Sequence, residues 1–227
     1  MTILIIGASR GIGFEFVRQY RDAGERVIAT ARDAAAIQRL ESIGAQALKI
    51  DVAEPASVSA LAWQLDGEKI DLAVYVAGVF SKDAATTPQT QEAFDKVLHT
   101  NVLGAMQTIP QVAPCVEEAR GVFAFVTSAM GQIGGVASSY GWTYRVSKAA
   151  LNMAVAAAQN DYPRATLLAL SPGWVQTDMG GASASLTVQQ SVSAMRKALA
   201  AAGKKDAARP SAKGQFINYD GTPFSSW

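Results

Sequence analysis

Ile3-Leu4-Ile5-Ile6-Gly7-Ala8-Ser9-Arg10-Gly11-Ile12-Gly13 is the stretch on which the fold turns. Four consecutive aliphatic residues have the length of a strand buried on both faces. A glycine-punctuated turn follows and hands over to an amphipathic pattern at 13–23. A strand, a tight glycine turn and a helix expose the helix's first N–H groups and the positive end of its dipole to a pyrophosphate. The glycines let the backbone approach that group closely. The spacing is G-x-x-x-G-x-G, not G-x-G-x-x-G, and a glycine turn alone is weak evidence because many strand–helix joints use glycine for geometry. Its place between the first strand and the first helix is what a dinucleotide site requires.

Outward from that turn the same alternation continues to the end of the chain. Strands are predicted at 26–31, 47–51, 72–77, 121–127, 164–170 and 215–219, with helices at 34–43, 57–65, 92–109, 144–161 and 186–202. Strand and helix alternating in this way imply an α/β fold: a Rossmann-like, doubly wound parallel sheet in three layers, α/β/α. No Pro/Ser linker and no fixed repeat divides it, so a single domain over 1–227 is expected, with a short substrate loop near 178–195. Composition agrees: 227 residues, 49% hydrophobic and 17% charged, can bury a sizeable core. Twenty basic and nineteen acidic side chains leave a net charge of +1, which gives no global field toward nucleic acid or an anionic membrane. The basic residues Lys204, Lys205, Arg209 and Lys213 read as a solvated connection. The single cysteine, Cys115, excludes an internal disulfide and a cysteine-rich metal site. The first apolar run stops at Gly7, far short of the ~20 residues that span a bilayer, and no basic leader precedes it. The expectation is a cytoplasmic globular protein.

The glycine loop of residues 7–13 resembles that of the classical short-chain dehydrogenase/reductase family, and the resemblance extends through most of the chain. The glycine loop has that family's spacing. Asp51-Val52 matches its adenine-contacting Asp, Ala77-Gly78 the tail of its N-N-A-G motif, and Asn101 its helix asparagine. Ser128 follows the fifth strand, Tyr144 and Lys148 form Y-x-x-x-K, and Pro172-Gly173-Trp174-Val175-Gln176-Thr177 matches P-G-x-x-x-T. The long glycine- and serine-rich interval 131–141 and the near-terminal Phe216-Ile217-Asn218-Tyr219-Asp220-Gly221 narrow the likeness to the C-factor/sniffer-like carbonyl reductase branch. The resemblance implies a cofactor cradle of Gly7, Ser9, Arg10, Gly11, Ile12 and Gly13, with Asp51, Val52, Ala77, Gly78, Pro172, Gly173, Val175 and Thr177 around it. In two respects the chain departs from the family: Tyr75-Val76 stands where many relatives have Asn-Asn, which puts cofactor affinity or local packing in question, and sixteen positions separate Ser128 from Tyr144, a few more than in most classical members, the excess lying in 131–141 where it could bulge over the substrate.

NADP (as NADPH) is the cofactor expected. Members that take NAD usually carry an acid at the end of the second strand, about twenty residues past the glycines. Here that place belongs to Ala31, followed by Arg32, whose guanidinium matches a 2′-phosphate. Arg10 is a second phosphate partner by this reading. Asp33 is the competing residue, a ribose acid if the register slips by one and a helix N-cap otherwise.

Carbonyl reduction needs a proton donor as well as a hydride. A tyrosine with an ordinary pKa of about 10 is sluggish near neutrality, and an adjacent ammonium stabilises its phenolate. Tyr144 and Lys148 are four apart on a predicted helix and share a face. By resemblance, Lys148 also holds the nicotinamide ribose, Ser128 bonds the substrate oxygen, and Asn101 holds a water that relays protons to Lys148. Taken singly, Ser128 and Asn101 read as turn or cap residues; their order with Tyr144 and Lys148 favours the functional reading. Tyr140 is a decoy, since its fourth residue on is Tyr144. His99, the only histidine, falls in a helical pattern and reads as packing or surface. Trp174 suits either a pocket wall or a lid.

The function expected is reduction of a carbonyl to an alcohol, or the reverse, on a small molecule in a shallow pocket. No metal is implied. A non-catalytic NADP-binding sensor of the same fold is the alternative. Self-association into a homodimer or homotetramer is expected through the apolar helices at 92–109 and 147–160.

Overall fold

In the computed structural model of the chain, the described residues are 1–203 and 214–227. Lys204, Lys205, Arg209 and Lys213, read above as a solvated connection, lie outside them. Among the described residues seven strands form one sheet: β1 (Thr2–Ile6), β2 (Arg26–Ala31), β3 (Gln46–Lys49), β4 (Leu72–Tyr75), β5 (Val122–Val126), β6 (Thr166–Ser171) and β7 (Gln215–Asn218). Their order is 3-2-1-4-5-6-7 and every neighbouring pair is parallel, the doubly wound sheet that the alternation predicts. The order reverses between β1 and β4, so the crevice outside the carboxyl ends of those strands is where this architecture takes ligands.

Helices α1 (Gly11–Asp22), α2 (Ala34–Ser42) and α8 (Val188–Ala202) cover one face; α3 (Pro55–Ser59), α4 (Leu61–Gln64), α6 (Gly104–Ala119) and α7 (Trp142–Ala158) cover the other. Helix α5 (Gln91–Leu98) leads into α6. Side chains alternate accordingly: Ile3, Ile5 and Val74 pack under the first layer, and Leu4, Ile6, Tyr75, Phe123 and Phe125 under the second. Because both faces are covered, the central strands β4 and β5 are buried and apolar throughout and β1 is so after Thr2, which is why those runs are legible in the sequence, while the edge strands β3 and β7 carry polar residues at both ends.

Four predicted elements differ in the structure. The helix expected at 92–109 is α5, then one π turn (His99–Leu103), then α6. Helix α6 also runs on through Pro110 and Pro114. Met106, Pro110 and Pro114 lie four apart on its exposed side, so the carbonyls these prolines leave without an N–H face solvent. Meanwhile Ala105, Ile109, Val112, Ala113 and Val116 stay buried. The helix expected at 57–65 is two short ones meeting at Ala60, whose N–H bonds to the Ser57 carbonyl. β3 ends at Lys49, so Asp51 sits just beyond the strand and not in it. Of the interval near 178–195 expected to hold a short substrate loop, residues 188–195 are helical: the Thr187 hydroxyl accepts from the Gln190 N–H (3.1 Å) and the Gln190 side chain accepts from the Thr187 N–H (2.9 Å), a capping box that starts α8 at Val188.

Candidate active site

The glycine loop is shaped by what stands against it. Gly7 has φ +89°, and a Cβ there would lie 2.7 Å from the Ala77 amide nitrogen. At Gly13 a Cβ would come within 2.2 Å of the Gly7 carbonyl oxygen. Both positions must therefore be glycine for β1, α1 and the Ala77 segment to meet. The loop is tied to β2 by two bonds, from the Gly7 N–H to the Thr30 hydroxyl (3.0 Å) and from the Ala8 N–H to the Thr30 carbonyl (2.8 Å). No side chain caps α1. Its N-terminus thus opens into the crevice with the dipole end that suits an anion.

Three arginines surround this loop. Arg10 Nη1 pairs with Asp178 Oδ2 at 2.7 Å, with both side chains largely exposed. Arg32 Nη1 lies 3.8 Å from Asp51 Oδ2. Arg39, which no motif flagged, donates to the Ser9 carbonyl at 3.0 Å. Asp33 Oδ1 accepts from the Ala36 N–H (2.8 Å), so it is the N-cap of α2, the second of its two readings. Asp51 caps the turn after it through the Ala53 N–H (3.0 Å), and Val52 is buried with its carbonyl against Gly104.

At the carboxyl end of β5 the chemistry-bearing side chains converge. Tyr144 and Lys148 project from one face of α7 and are 7% and 3% exposed. Lys148 Nζ donates to the Val126 carbonyl (2.9 Å) and lies 5.5 Å from the Tyr144 ring centre. Burial pushes the Tyr144 phenol up to about 12, with a hydrogen bond from Ser128 pulling the other way, and burial alone brings Lys148 down to about 8. This differs from the expectation that the ammonium would lower the tyrosine: desolvation favours the neutral form of both groups and is the largest influence on each. Ser128 faces Tyr144 and accepts from the Met130 N–H (3.1 Å).

Asn101, in the π turn, is fully buried. Its Oδ1 accepts from the Val79 N–H (2.8 Å), and its Nδ2 donates to the Val79 carbonyl (2.9 Å) and the Ser147 hydroxyl (3.0 Å). Both amide hydrogens are thus spent, which leaves one lone pair on Oδ1 for any water. Gly78 sits between the two groups: a Cβ there would be 3.3 Å from Asn101 Oδ1 and 3.5 Å from Lys148 Nζ. Ser147 in turn donates to the Tyr144 carbonyl (2.7 Å).

Several neighbours of this site carry no sequence signal. Helix α7 begins after a left-handed Gly141 and is capped from a distance. The Asp83 carboxylate accepts from the Thr143 N–H (3.2 Å) and the Ser81 hydroxyl from the Tyr144 N–H (3.2 Å). The Phe80 ring meets Tyr144 edge-on at 4.9 Å and Tyr140 at 5.8 Å, so the decoy tyrosine is a wall residue. The loop after Ser128 passes directly over α7, for a Cβ on Gly131 would lie 2.8 Å from the Lys148 carbonyl carbon. On the opposite side the 172–187 segment folds back. Val175 bridges Leu186, Thr177 accepts from the Gly180 N–H (3.0 Å), and Trp174 Nε1 donates to the Gly180 carbonyl (2.9 Å) with its ring 56% exposed. Gly173 has φ +77° and packs on Leu186 and Tyr219, while the Pro172 carbonyl accepts from Ser191 (2.7 Å). Among the described residues no group of His, Cys, Asp and Glu could hold a metal, and no helix is long and apolar enough to cross a membrane.

A doubly wound sheet with a glycine cradle at its switch point and a Tyr–Lys pair on the adjoining helix defines the class: a dinucleotide-type oxidoreductase fold. The family model for short chain dehydrogenases matches residues 1–186, and the chain belongs to that family. It is 32% identical over 234 residues to 1-hydroxy-2-glutathionyl-2-methyl-3-butene dehydrogenase of Rhodococcus sp. (strain AD45), covering 100% of this chain and 99% of that protein. Its fold matches the carbonyl reductase Sniffer of D. melanogaster with a TM-score of 0.87 at 26% identity, over 100% of this chain and 99% of that one. A short-chain dehydrogenase/reductase of Burkholderia multivorans with bound NADP matches with a TM-score of 0.85 at 26% identity and the same coverage.

Proposed function

We propose that the chain is an NADP(H)-dependent carbonyl reductase acting on small molecules. The observation that carries this reading is the buried pair Tyr144 and Lys148, one helical turn apart and within reach of Ser128, beside a cradle that only glycine fits. The bound dinucleotide would supply a hydride to the carbonyl carbon. Gly7, Ser9, Gly11, Ile12, Gly13 and the uncapped start of α1 would hold its pyrophosphate; Arg10 and Arg32 would take the 2′-phosphate. Asp51 and Val52 would line the adenine side, and Ala77, Gly78, Pro172, Gly173, Val175 and Thr177 the nicotinamide side.

Ser128 donates to the carbonyl oxygen and stabilises the charge that grows on it. Tyr144 then gives its proton to that oxygen. A phenol pushed up to about 12 is fully protonated at neutral pH, which suits the donor role and hence the direction of reduction. Lys148, as an ammonium below about pH 8, holds the ribose and replenishes the proton through a water on Asn101 Oδ1. Phe80, Tyr140 and Trp174 give the pocket an aromatic wall.

The chain's own surface supports self-association. Phe94, Leu103 and Met106 on the α5–α6 side, and Val146 and Met153 on α7, leave large apolar side chains exposed, Met153 by 69%. A homodimer or homotetramer would cover them. A single free cysteine suits a cytoplasmic setting.

NADPH oxidation measured against a panel of aldehydes, ketones and quinones, with a glutathione-conjugated alcohol tested in the reverse direction, checks the proposal. Turnover that vanishes in Tyr144→Phe supports it. Tight NADPH binding without turnover on any member of the panel would overturn it in favour of a non-catalytic sensor.

A further inference from the structure

The departure at Tyr75 has a structural counterpart. Tyr75 closes β4 and is fully buried, its ring 5.9 Å from that of Phe125. Its hydroxyl reaches out of the sheet and donates to the Thr100 carbonyl at 3.0 Å, inside the π turn that carries Asn101. The slot for this hydroxyl is specific: a Cβ on Gly104 would lie 2.8 Å from Tyr75 Oη and 2.5 Å from the Val52 carbonyl oxygen, so Gly104 keeps it open. A π turn widens the helix by one residue and shifts every side chain after it, so its register must be fixed from outside the helix. Two contacts fix it here. Tyr75 holds Thr100, and four residues on, the backbone of Val79 is clamped on both its N–H and its carbonyl by Asn101. The five residues from Tyr75 to Val79, Ala77 and Gly78 among them, are thereby stapled to the π turn at both ends.

We propose that Tyr75 is a positioning residue: its phenol sets the register of the π turn, and so the reach of Asn101 to Val79 and Ser147, beside Tyr144 and Lys148. The phenol touches neither substrate nor cofactor and acts through Thr100 and Asn101. A side chain as short as Asn at position 75 could not extend from the strand to that carbonyl, and this makes the departure from the family pattern part of how this chain builds its site. The turnover arm of the test rests on the carbonyl reductase reading; the exchange arm does not.

Tyr75→Phe removes one oxygen and keeps the ring. Amide hydrogen exchange should show Val79 and residues 99–104 opening about tenfold or more faster, with the amides of Phe123 and Leu168 in the sheet unchanged. In steady state kcat should fall about tenfold while the substrate KM stays within about twofold. In an Asn101→Ala background the same change should cost less than about twofold, because the two act through one element. Faster exchange throughout the sheet, no change at Val79, or a full tenfold loss on top of Asn101→Ala would each overturn the proposal. If the unsubstituted protein turns over no carbonyl, the reductase reading falls, and the exchange pattern still decides whether Tyr75 sets the π turn.

Discussion

The two ends of the crevice are built on opposite physical principles. Around the glycine loop the shape is dictated by backbone sterics and the charge lies in open solvent: Arg10 and Asp178 are 77% and 76% exposed, and Arg32 is 71% exposed. At the Tyr144–Lys148 end the polar and titratable groups are taken out of water, with Asn101 at 0% exposure and Lys148 at 3%. Exposed ion pairs are screened and weak, so the first end can exchange partners cheaply. Buried polar groups must be fully bonded or are costly, so the second end is held in one arrangement. The contrast suits a protein that binds and releases a phosphate-bearing cofactor at one end and moves a proton at a fixed geometry at the other.

That difference sets the size of the expected effects. The largest falls on the buried end. Tyr144→Phe removes the proposed proton donor and should lower turnover by roughly 10³-fold or more, while NADPH binding, followed by its fluorescence, stays nearly intact. A variant that keeps full activity would take Tyr144 out of the mechanism. Next is Gly13→Ala. Its Cβ would meet the Gly7 carbonyl oxygen at 2.2 Å, so the loop must shift, at a cost of roughly 1–3 kcal/mol, or about 5- to 150-fold in NADPH affinity. Unchanged affinity measured by titration would show that the cradle tolerates the displacement.

The buried end should also respond to pH. Lys148 is brought down to about 8 and Tyr144 pushed up to about 12, so between these values the phenol keeps its proton while the lysine has lost its charge. The reduction rate at saturating NADPH should therefore be level below about pH 8 and fall by up to about tenfold per pH unit above it. A profile flat to pH 10 would mean that the lysine charge is not needed for proton transfer.

How far the sequence carries also differs between the two ends. The glycine loop was legible because its requirements are local: the glycine spacing sits between a buried strand and an amphipathic helix, and Asp33 could be read as a cap from its place before the alanines. The Tyr144–Lys148 pair was legible through its four-residue spacing. The surroundings of that pair were not. Phe80, Ser81 and Asp83 lie on a segment with no period, and they act on α7 across sixty or more positions, as in the bond from the Thr143 N–H to Asp83. The π turn left no mark because a single inserted residue shifts the apolar pattern of 92–109 without breaking it. Pro110 and Pro114 stopped the predicted helix where burial on the opposite side carries it on. Arg39 reaches the glycine loop from the side of α2, a contact that only the packing of the two helices creates.

The smaller effects belong to the exposed end. Arg32→Ala deletes the proposed charge-assisted contact to a 2′-phosphate and should weaken NADPH about tenfold at low salt while leaving NADH affinity unchanged. Equal losses for the two cofactors would end the 2′-phosphate assignment. The smallest effect concerns the pairing of Arg10 with Asp178, which ties the glycine loop to the 172–187 segment. The Asp178 carboxylate and a phosphate are both anionic and repel each other, so the two compete for the single guanidinium although it carries five N–H donors. Asp178→Asn frees the guanidinium and should tighten NADPH by less than about threefold, a gain that fades as salt screens the pair. Looser binding in Asp178→Asn would mean that the ion pair pre-sets Arg10 for the phosphate and does not compete with it. The exposed end would then be preorganised like the buried one, and the contrast between them would be one of solvent exposure alone.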